Sequence, residues 1–115
     1  MIHNGADFSM NKVEVKGNKN HETVGVMIKK SDAIIKECKI HSHLMGGILI
    51  WAKKKNKVDV VNCKVVFNSK AGIHVIGQDS NCLIEGNKIE HNAGAGIKIG
   101  ISNKSSIIRN EIRLN

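Results

Sequence analysis

The chain repeats itself, and nothing else about it narrows the possible folds as far. Four segments open with glycine and then set two aliphatic residues around one variable residue. They are Gly25-Val26-Met27-Ile28, Gly47-Ile48-Leu49-Ile50, Gly72-Ile73-His74-Val75 and Gly96-Ile97-Lys98-Ile99. The alternation puts both aliphatics of a segment on one face of a strand. The glycines lie 22, 25 and 24 residues apart. Self-similarity at a spacing in this range marks a stacked repeat.

A second segment recurs in phase with the first. Its clearest copies are Ile84-Glu85-Gly86-Asn87-Lys88-Ile89 and Ile107-Ile108-Arg109-Asn110-Glu111-Ile112. Ile35-Lys36-Glu37-Cys38-Lys39-Ile40 and Val60-Val61-Asn62-Cys63-Lys64-Val65 carry cysteine at the asparagine position. Val15-Lys16-Gly17-Asn18-Lys19-Asn20 aligns as a fifth copy without the last aliphatic. Asn18, Cys38, Cys63, Asn87 and Asn110 therefore form an expected ladder of turn residues, with steps of 20, 25, 24 and 23. A further mark falls five residues later, at His43, Asn68, Asn92 and Asn115. The glycine follows the slot by nine residues in three coils and by seven, Asn18 to Gly25, in the first. That predicts a first coil two residues shorter there. At the start of the chain Asn4 aligns with Asn92, and Phe8-Ser9-Met10 with Ile97-Lys98-Ile99.

Each coil then offers three short strands, none long enough to bury a face alone. Stacked, strands of successive coils pair in parallel about 4.7–4.9 Å apart and their aliphatics form continuous interior columns. One expected column is Val26, Ile48, Ile73 and Ile97; another is Val15, Ile35, Val60, Ile84 and Ile107. The asparagine slot reads as a turn where Asn tolerates left-handed backbone and its amide bonds to the copies above and below. The glycine reads as a sharp corner. The predicted fold is all-β, a parallel β-helix of about five coils of about 23 residues, with 1–115 a single segment open at both ends. A hexapeptide helix needs a period near 18, helical repeats need about 34 with 3.6-residue periodicity, and a leucine-rich repeat needs many leucines. This chain has four leucines.

The Asn-x-Ile and Gly-Ile-x-Ile elements resemble the repeats of right-handed parallel β-helix proteins. They are closest in style to the β-helix domains of F-box-only substrate adaptors and of the Shc SH2-domain-binding protein. The resemblance covers nearly the whole chain. It implies a right-handed solenoid acting as a scaffold or protein-interaction module, in the cytoplasm and in cytoskeletal, ciliary or ubiquitin-ligase assemblies. Polysaccharide lyases, hydrolases and epimerases share the fold, so a carbohydrate-active enzyme, or the remnant of one, is the competing expectation.

The residues weigh against catalysis. β-Helix enzymes group acidic residues on one exposed face for calcium binding or acid/base work. The ten acidic residues here include no Asp-Asp or Asp-x-Asp cluster. Met27, Leu49, His74 and Lys98, which lie between the paired aliphatics, do not make a sugar-cleaving surface. His41-Ser42-His43 places two imidazoles on one face if extended, short of the three or four ligands of a zinc site. No catalytic residue, metal or cofactor is expected. Cys38 and Cys63 sit at equivalent slots within disulfide reach, but small buried thiols suit a turn stack. Cys82 shares an inward slot with Val13, Ala33, Val58 and Ser105.

Composition bounds the partners. The 115 residues suit one domain. No apolar run approaches the length of a membrane span, and no charged leader precedes an apolar stretch. Three cysteines, an odd number, suit a reducing compartment. The net charge of +8 is either a solvated lysine- and asparagine-rich surface or the footprint of an acidic partner. Nucleic acid is disfavoured, because single strands bind through interleaved aromatics and the chain has one Trp, two Phe and no Tyr. Trp51 and the run Lys53, Lys54, Lys55 and Lys57 form the longest connection. Trp51 reads either as a corner residue packed on its own loop or as an anchor for a partner's pocket, the role in which tryptophan is enriched. Protein partners are also expected to cap the two open ends, where strand edges and apolar columns lie bare.

Overall fold

The computed structural model describes residues 2–3, 7–18, 20–53, 55–77, 81–100 and 104–115. Asn4, Lys19, Lys54, the Gln78-Asp79-Ser80 part of one link and the Ser102-Asn103 part of the next lie outside the described residues. Coil one carries β1 (Ile2–His3), β2 (Asp7–Asn11) and β3 (Glu14–Lys16); coil two carries β4 (Val24–Lys29), β5 (Asp32–Lys36) and β6 (Lys39–His41). Coil three has β7 (Gly46–Trp51), β8 (Val58–Val61) and β9 (Lys64–Val66); coil four has β10 (Ile73–Ile76), β11 (Leu83–Glu85) and β12 (Lys88–Glu90). Coil five has β13 (Ile97–Ile99), β14 (Ser106–Ile108) and β15 (Glu111–Arg113).

These strands form three sheets, each five strands deep. The first is β1-β4-β7-β10-β13, the second β2-β5-β8-β11-β14 and the third β3-β6-β9-β12-β15. Every neighbouring pair is parallel. Ile2 to Ile99, Met10 to Ile107 and Val15 to Ile112 each cover 97 residues over four sheet steps, so one turn takes about 24 residues.

The first predicted column stands: Val26, Ile48, Ile73 and Ile97 are direct register partners. The second stands from Ile35 through Val60 and Ile84 to Ile107, but its first member is Met10, not Val15. Val15 belongs to the third sheet, below Ile40, Val65, Ile89 and Ile112. The same correction carries Asn18 out of the slot of Cys38, Cys63, Asn87 and Asn110. Val13 takes that place, its carbonyl accepting from Lys39 N–H as Cys38 accepts from Lys64 and Cys63 from Lys88. Phe8, not Val13, precedes Ala33 and Val58 in the row that Cys82 and Ser105 continue. Phe8-Ser9-Met10 lies in the second sheet beside Ala33-Ile34-Ile35, while the first-sheet strand of coil one is Ile2–His3.

The cause is one connection. Val15 and Val26 are 11 residues apart, where Ile40–Ile48, Val65–Ile73 and Ile89–Ile97 are each eight apart. Coil one is thus three residues longer at this point, not two shorter. Val13-Glu14-Val15 has the same alternation as its neighbours, so pattern alone could not place it.

Strands stay short because left-handed residues turn the chain between them. Lys12, Glu37, Asn62, Gly86 and Arg109 have φ between 53° and 69° and stand one residue before the Cys/Asn slot. Ser42, Phe67, His91 and Leu114 do the same before the second ladder, at 56–66°. The left-handed residue is the one preceding the asparagine, not the asparagine itself. Each non-glycine in this region costs roughly 1–2 kcal/mol, and it persists because the paired strands on both sides determine it.

The asparagines serve by stacking. Asn87 N–H and Nδ2 both donate to Asn110 Oδ1, at 2.9 and 3.0 Å, and Nδ2 also reaches the Val60 carbonyl at 2.9 Å. Asn110 Nδ2 donates to the Ile84 carbonyl at 2.9 Å. The thiols of Cys38 and Cys63 point at the matching carbonyls, Met10 at 3.6 Å and Ile35 at 3.4 Å. The cysteines keep the asparagine's inward contact with a weaker donor. All three cysteines are free and buried. Burial pushes the Cys63 thiol up to about 11.

The second ladder explains the glycines. Asn68, Asn92 and Asn115 stack in the same way, with N–H to Oδ1 distances of 3.1 Å (Asn68 to Asn92) and 3.0 Å (Asn92 to Asn115). Their amides press against the glycine row. A Cβ on Gly47 would meet Asn68 Nδ2 at 3.0 Å and Val65 Cγ1 at 2.5 Å; on Gly72 it would meet Asn92 Nδ2 at 2.9 Å and Ile89 Cγ2 at 2.7 Å. Neither glycine has φ in the left-handed region. Lack of room for a side chain, not backbone freedom, is what demands glycine here. Gly72→Ala is therefore expected to cost about 1–3 kcal/mol through overpacking. Gly100→Ala, whose Cβ would meet nothing nearer than the Val75 carbonyl at 3.5 Å, should be neutral or stabilising by up to about 1 kcal/mol. Urea unfolding of the two variants checks the contrast, and equal losses would refute it.

His43 is the irregular member of the second ladder. Its N–H donates to Asn68 Oδ1 at 3.0 Å, and its Nε2 lies 3.0 Å from the Val15 carbonyl. Nε2 must therefore carry the hydrogen. Nδ1 is left bare, buried and without a hydrogen-bond partner among the described residues. Burial holds the His43 pKa below the ordinary value for histidine, with the neighbouring His41 adding to the effect. The unfolded chain takes up this proton near pH 6.5; the folded chain does so only at lower pH. Stability is full above about pH 6.5 and falls as pH drops below it. His43→Asn restores the regular ladder. It should shrink the stability difference between pH 7.5 and 5.5 measured by urea unfolding, and an unchanged difference would count against this role.

Candidate functional site

Period-2 alternation turns one set of first-sheet side chains to the core and the other to solvent. Met27, Leu49, His74 and Lys98 are register partners on the outer face. Two residues on, Lys29, Trp51 and Ile76 form the next outward row. The makeup of this face is unlike that of the other two. None of the ten acidic residues lies in a first-sheet strand. Seven lie in strands of the other sheets: Asp7, Asp32, Asp59 and Glu85 in the second, Glu14, Glu90 and Glu111 in the third.

Those carboxylates are largely committed. Glu90 accepts from Arg113 Nε at 2.7 Å and lies 3.4 Å from Lys88 Nζ. The Arg113 hydrogen bond holds the Glu90 carboxyl below the usual carboxylate range, the opposite of what a general acid requires. Glu14 meets His41 Nε2 at 2.7 Å, which lowers its pKa likewise. Glu85 pairs with Arg109 at 3.6 Å and Glu111 with Arg113 at 3.1 Å; outside the strands, Glu37 pairs with Lys12 at 3.8 Å. Among the described residues, no ion pair involves Lys29, Lys30, Lys70 or Lys98.

Trp51 sits at the edge of this face and is 43% exposed. Lys29 Nζ lies over its ring at 4.6 Å from the centroid and Lys30 Nζ at 5.2 Å. Both lysines come from the coil below, so Trp51 is held by its vertical neighbours. The lysine run is arranged differently. Lys53 N–H donates to Asn56 Oδ1 at 3.0 Å and Asn56 N–H returns to the Lys53 carbonyl at 2.9 Å. Asp32 Oδ1 accepts from Lys57 N–H at 2.9 Å and from Asn56 Nδ2 at 3.4 Å, which ties the loop to coil two. Lys53, Lys55 and Lys57 are exposed. Lys57 borders a depression shared with Asp7, Phe8, Asp32 and Ile34, over the second sheet. Lys55 and Lys57 also border one with Asp59 and Leu83.

The structure thus joins Trp51 to Lys29 and Lys30 and turns Lys55 and Lys57 toward acidic neighbours on another face. Sequence reading missed Lys29 and Lys30. The signal was present: Lys29 stands 22 residues before Trp51, the step between Gly25 and Gly47. His41 and His43 do not share a face. Ser42, with φ of 66°, turns the chain between them, sending His41 to Glu14 and His43 into the ladder. Among the described residues, no group of three or more His, Cys, Asp or Glu could hold a metal ion. His74 lies between Leu49 and Lys98, and partial burial with the Lys98 charge lowers its pKa.

No curated protein and no solved structure matches the chain significantly. The family described as the right handed beta helix region matches residues 46–115, more than half of the sequence. That match begins at β7 and covers the most regular coils, and the parallel rows continue without change of register rule into coil two. The chain belongs to the right-handed β-helix family.

Proposed function

We propose that this β-helix is a non-catalytic scaffold that docks an acidic protein partner on the outer face of its first sheet. The observation that carries the reading is the segregation of charge. A face bearing Lys29, Lys30, Lys98, His74 and an exposed Trp51, with no carboxylate in its strands, is complementary to acidic protein surface. Two ammonium groups over one indole repel each other, and an arriving carboxylate relieves that repulsion. Trp51 supplies the large rigid contact on which such interfaces are centred. Lys53, exposed two residues after Trp51, adds a basic rim. Half-exposed apolar residues at the two ends, Phe8 at one and Ile107 and Ile112 at the other, are surfaces for capping partners or further coils. The cytoplasm, and adaptor or cytoskeletal assemblies, suit this reading at the level of family resemblance.

Trp51 is the only tryptophan, so its fluorescence reports on the face directly. A glutamate-rich peptide should change the emission saturably, with affinity that weakens as salt rises. Trp51→Ala should lower stability by no more than about 1–2 kcal/mol, the worth of two exposed cation–π contacts, yet weaken peptide binding in calorimetry by tenfold or more. A variant that loses stability heavily while binding the peptide as before would make Trp51 a packing residue and remove the reading.

A further inference from the structure

The outer face of the first sheet is grooved along the solenoid axis. A channel of about 380 Å³ runs between the loop positions Met45, Lys70 and Gly94 on one side and the strand row Leu49, His74 and Lys98 on the other. Gly46, Ala71 and Ala95, all small, lie between the two sides. Val24 and Met45 also line a second depression with Glu22 and Met27, so the channel continues onto coil two. From Met27 to Lys98 it crosses three sheet steps, about 14 Å.

Its chemistry changes along that length. The coil-two end is formed by Met27, Met45 and Leu49, with Glu22 at its mouth. The far end carries Lys70, His74 and Lys98, with no carboxylate among its lining residues. We propose that this groove takes an extended peptide segment of the partner, its apolar residues over Met27, Met45 and Leu49 and its carboxylates over Lys70 and Lys98. The inference rests on reading this face as the docking surface, and it adds the occupant's form and direction.

Length, charge and polarity each support it. Three sheet steps match about four residues of extended chain at roughly 3.4 Å each. Glu22 repels a carboxylate from the apolar end, while Lys70 and Lys98, with no ion pair among the described residues, attract it to the other. A sugar chain fits worse, because hydroxyl groups laid against Met27, Met45 and Leu49 would lose water and find no hydrogen-bond partner there.

The test uses the whole chain and a capped hexapeptide with two leucines at one end and three glutamates at the other. A nitroxide on the leucine end should broaden the methyl signals of Met27 and Met45 in NMR. A nitroxide on the glutamate end should broaden the backbone amide of Lys98 instead. Neutralising both exposed lysines, Lys70→Gln with Lys98→Gln, should weaken binding about five- to tenfold. If both labels broaden the same signals, or the double variant binds as the parent does while Trp51→Ala does not, the groove assignment fails and the docking face stands. If no acidic peptide binds at all, both fall. Preferential binding of a uronic-acid oligomer through Lys70 and Lys98 would overturn the peptide assignment.

Discussion

The solenoid depends on the contact between a row of turn amides and a row of glycines. Asn68, Asn92 and Asn115 each accept from the backbone N–H of the coil before them, and each needs the space that a Cβ on Gly47, Gly72 or Gly96 would occupy. With the amides seated, each corner has the same shape and the next strand starts in register. The aliphatic columns then follow, with Ile28, Ile35, Ile40, Ile50, Val60 and Val65 wholly buried. Hydrophobic burial supplies the driving force, but it is non-directional. The amide ladder gives it direction, because an unsatisfied buried amide costs about 1–3 kcal/mol.

The ladders also show what substitution they tolerate. Cys38 and Cys63 replace asparagine and aim their thiols at the same row of carbonyls. His43 replaces asparagine in the other row and keeps the inward contact, while its buried Nδ1 has no partner among the described residues. The inward contact is common to all of them, and the N–H groups of Cys63 and His43 still donate upward to Asn87 and Asn68; what is given up is the amide oxygen that would accept from the coil below. These irregular members lie in coils two and three, and coils four and five carry asparagine in both ladders. The better-formed part of the solenoid is therefore its later half.

Charge is distributed by sheet. Carboxylates on the third sheet are paired with Arg113, Lys88 and His41, and those on the second sheet lie near Lys57 and Arg109. The first sheet has basic and apolar groups and no such compensation within its strands. The net charge of +8 is thus expressed unevenly. A parallel stack makes this possible, because one repeated position becomes a whole row, and a bias at that position becomes a bias of a face. The proposed docking surface is a consequence of that geometry.

Coils two to five were legible from alternation and spacing alone. A run such as Ile48-Leu49-Ile50 can bury one face only, and its copies one turn on must bury the same face. Coil one was not legible, because Val13-Glu14-Val15 and Phe8-Ser9-Met10 alternate equally well in any sheet. The length of the Gly17–Thr23 connection chose between them, and a loop's length shows in a sequence only after both its ends have been placed. The same limit applied to the face. Trp51 and the lysine run stood out by type, yet Lys29 and Lys30 reached Trp51 by vertical stacking and Lys57 was drawn away by Asp32. The one-dimensional pattern determined which side chains face in and which face out. Which outward side chains meet was decided by the path of the turns, since contacts between coils depend on three-dimensional register and not on adjacency in the chain.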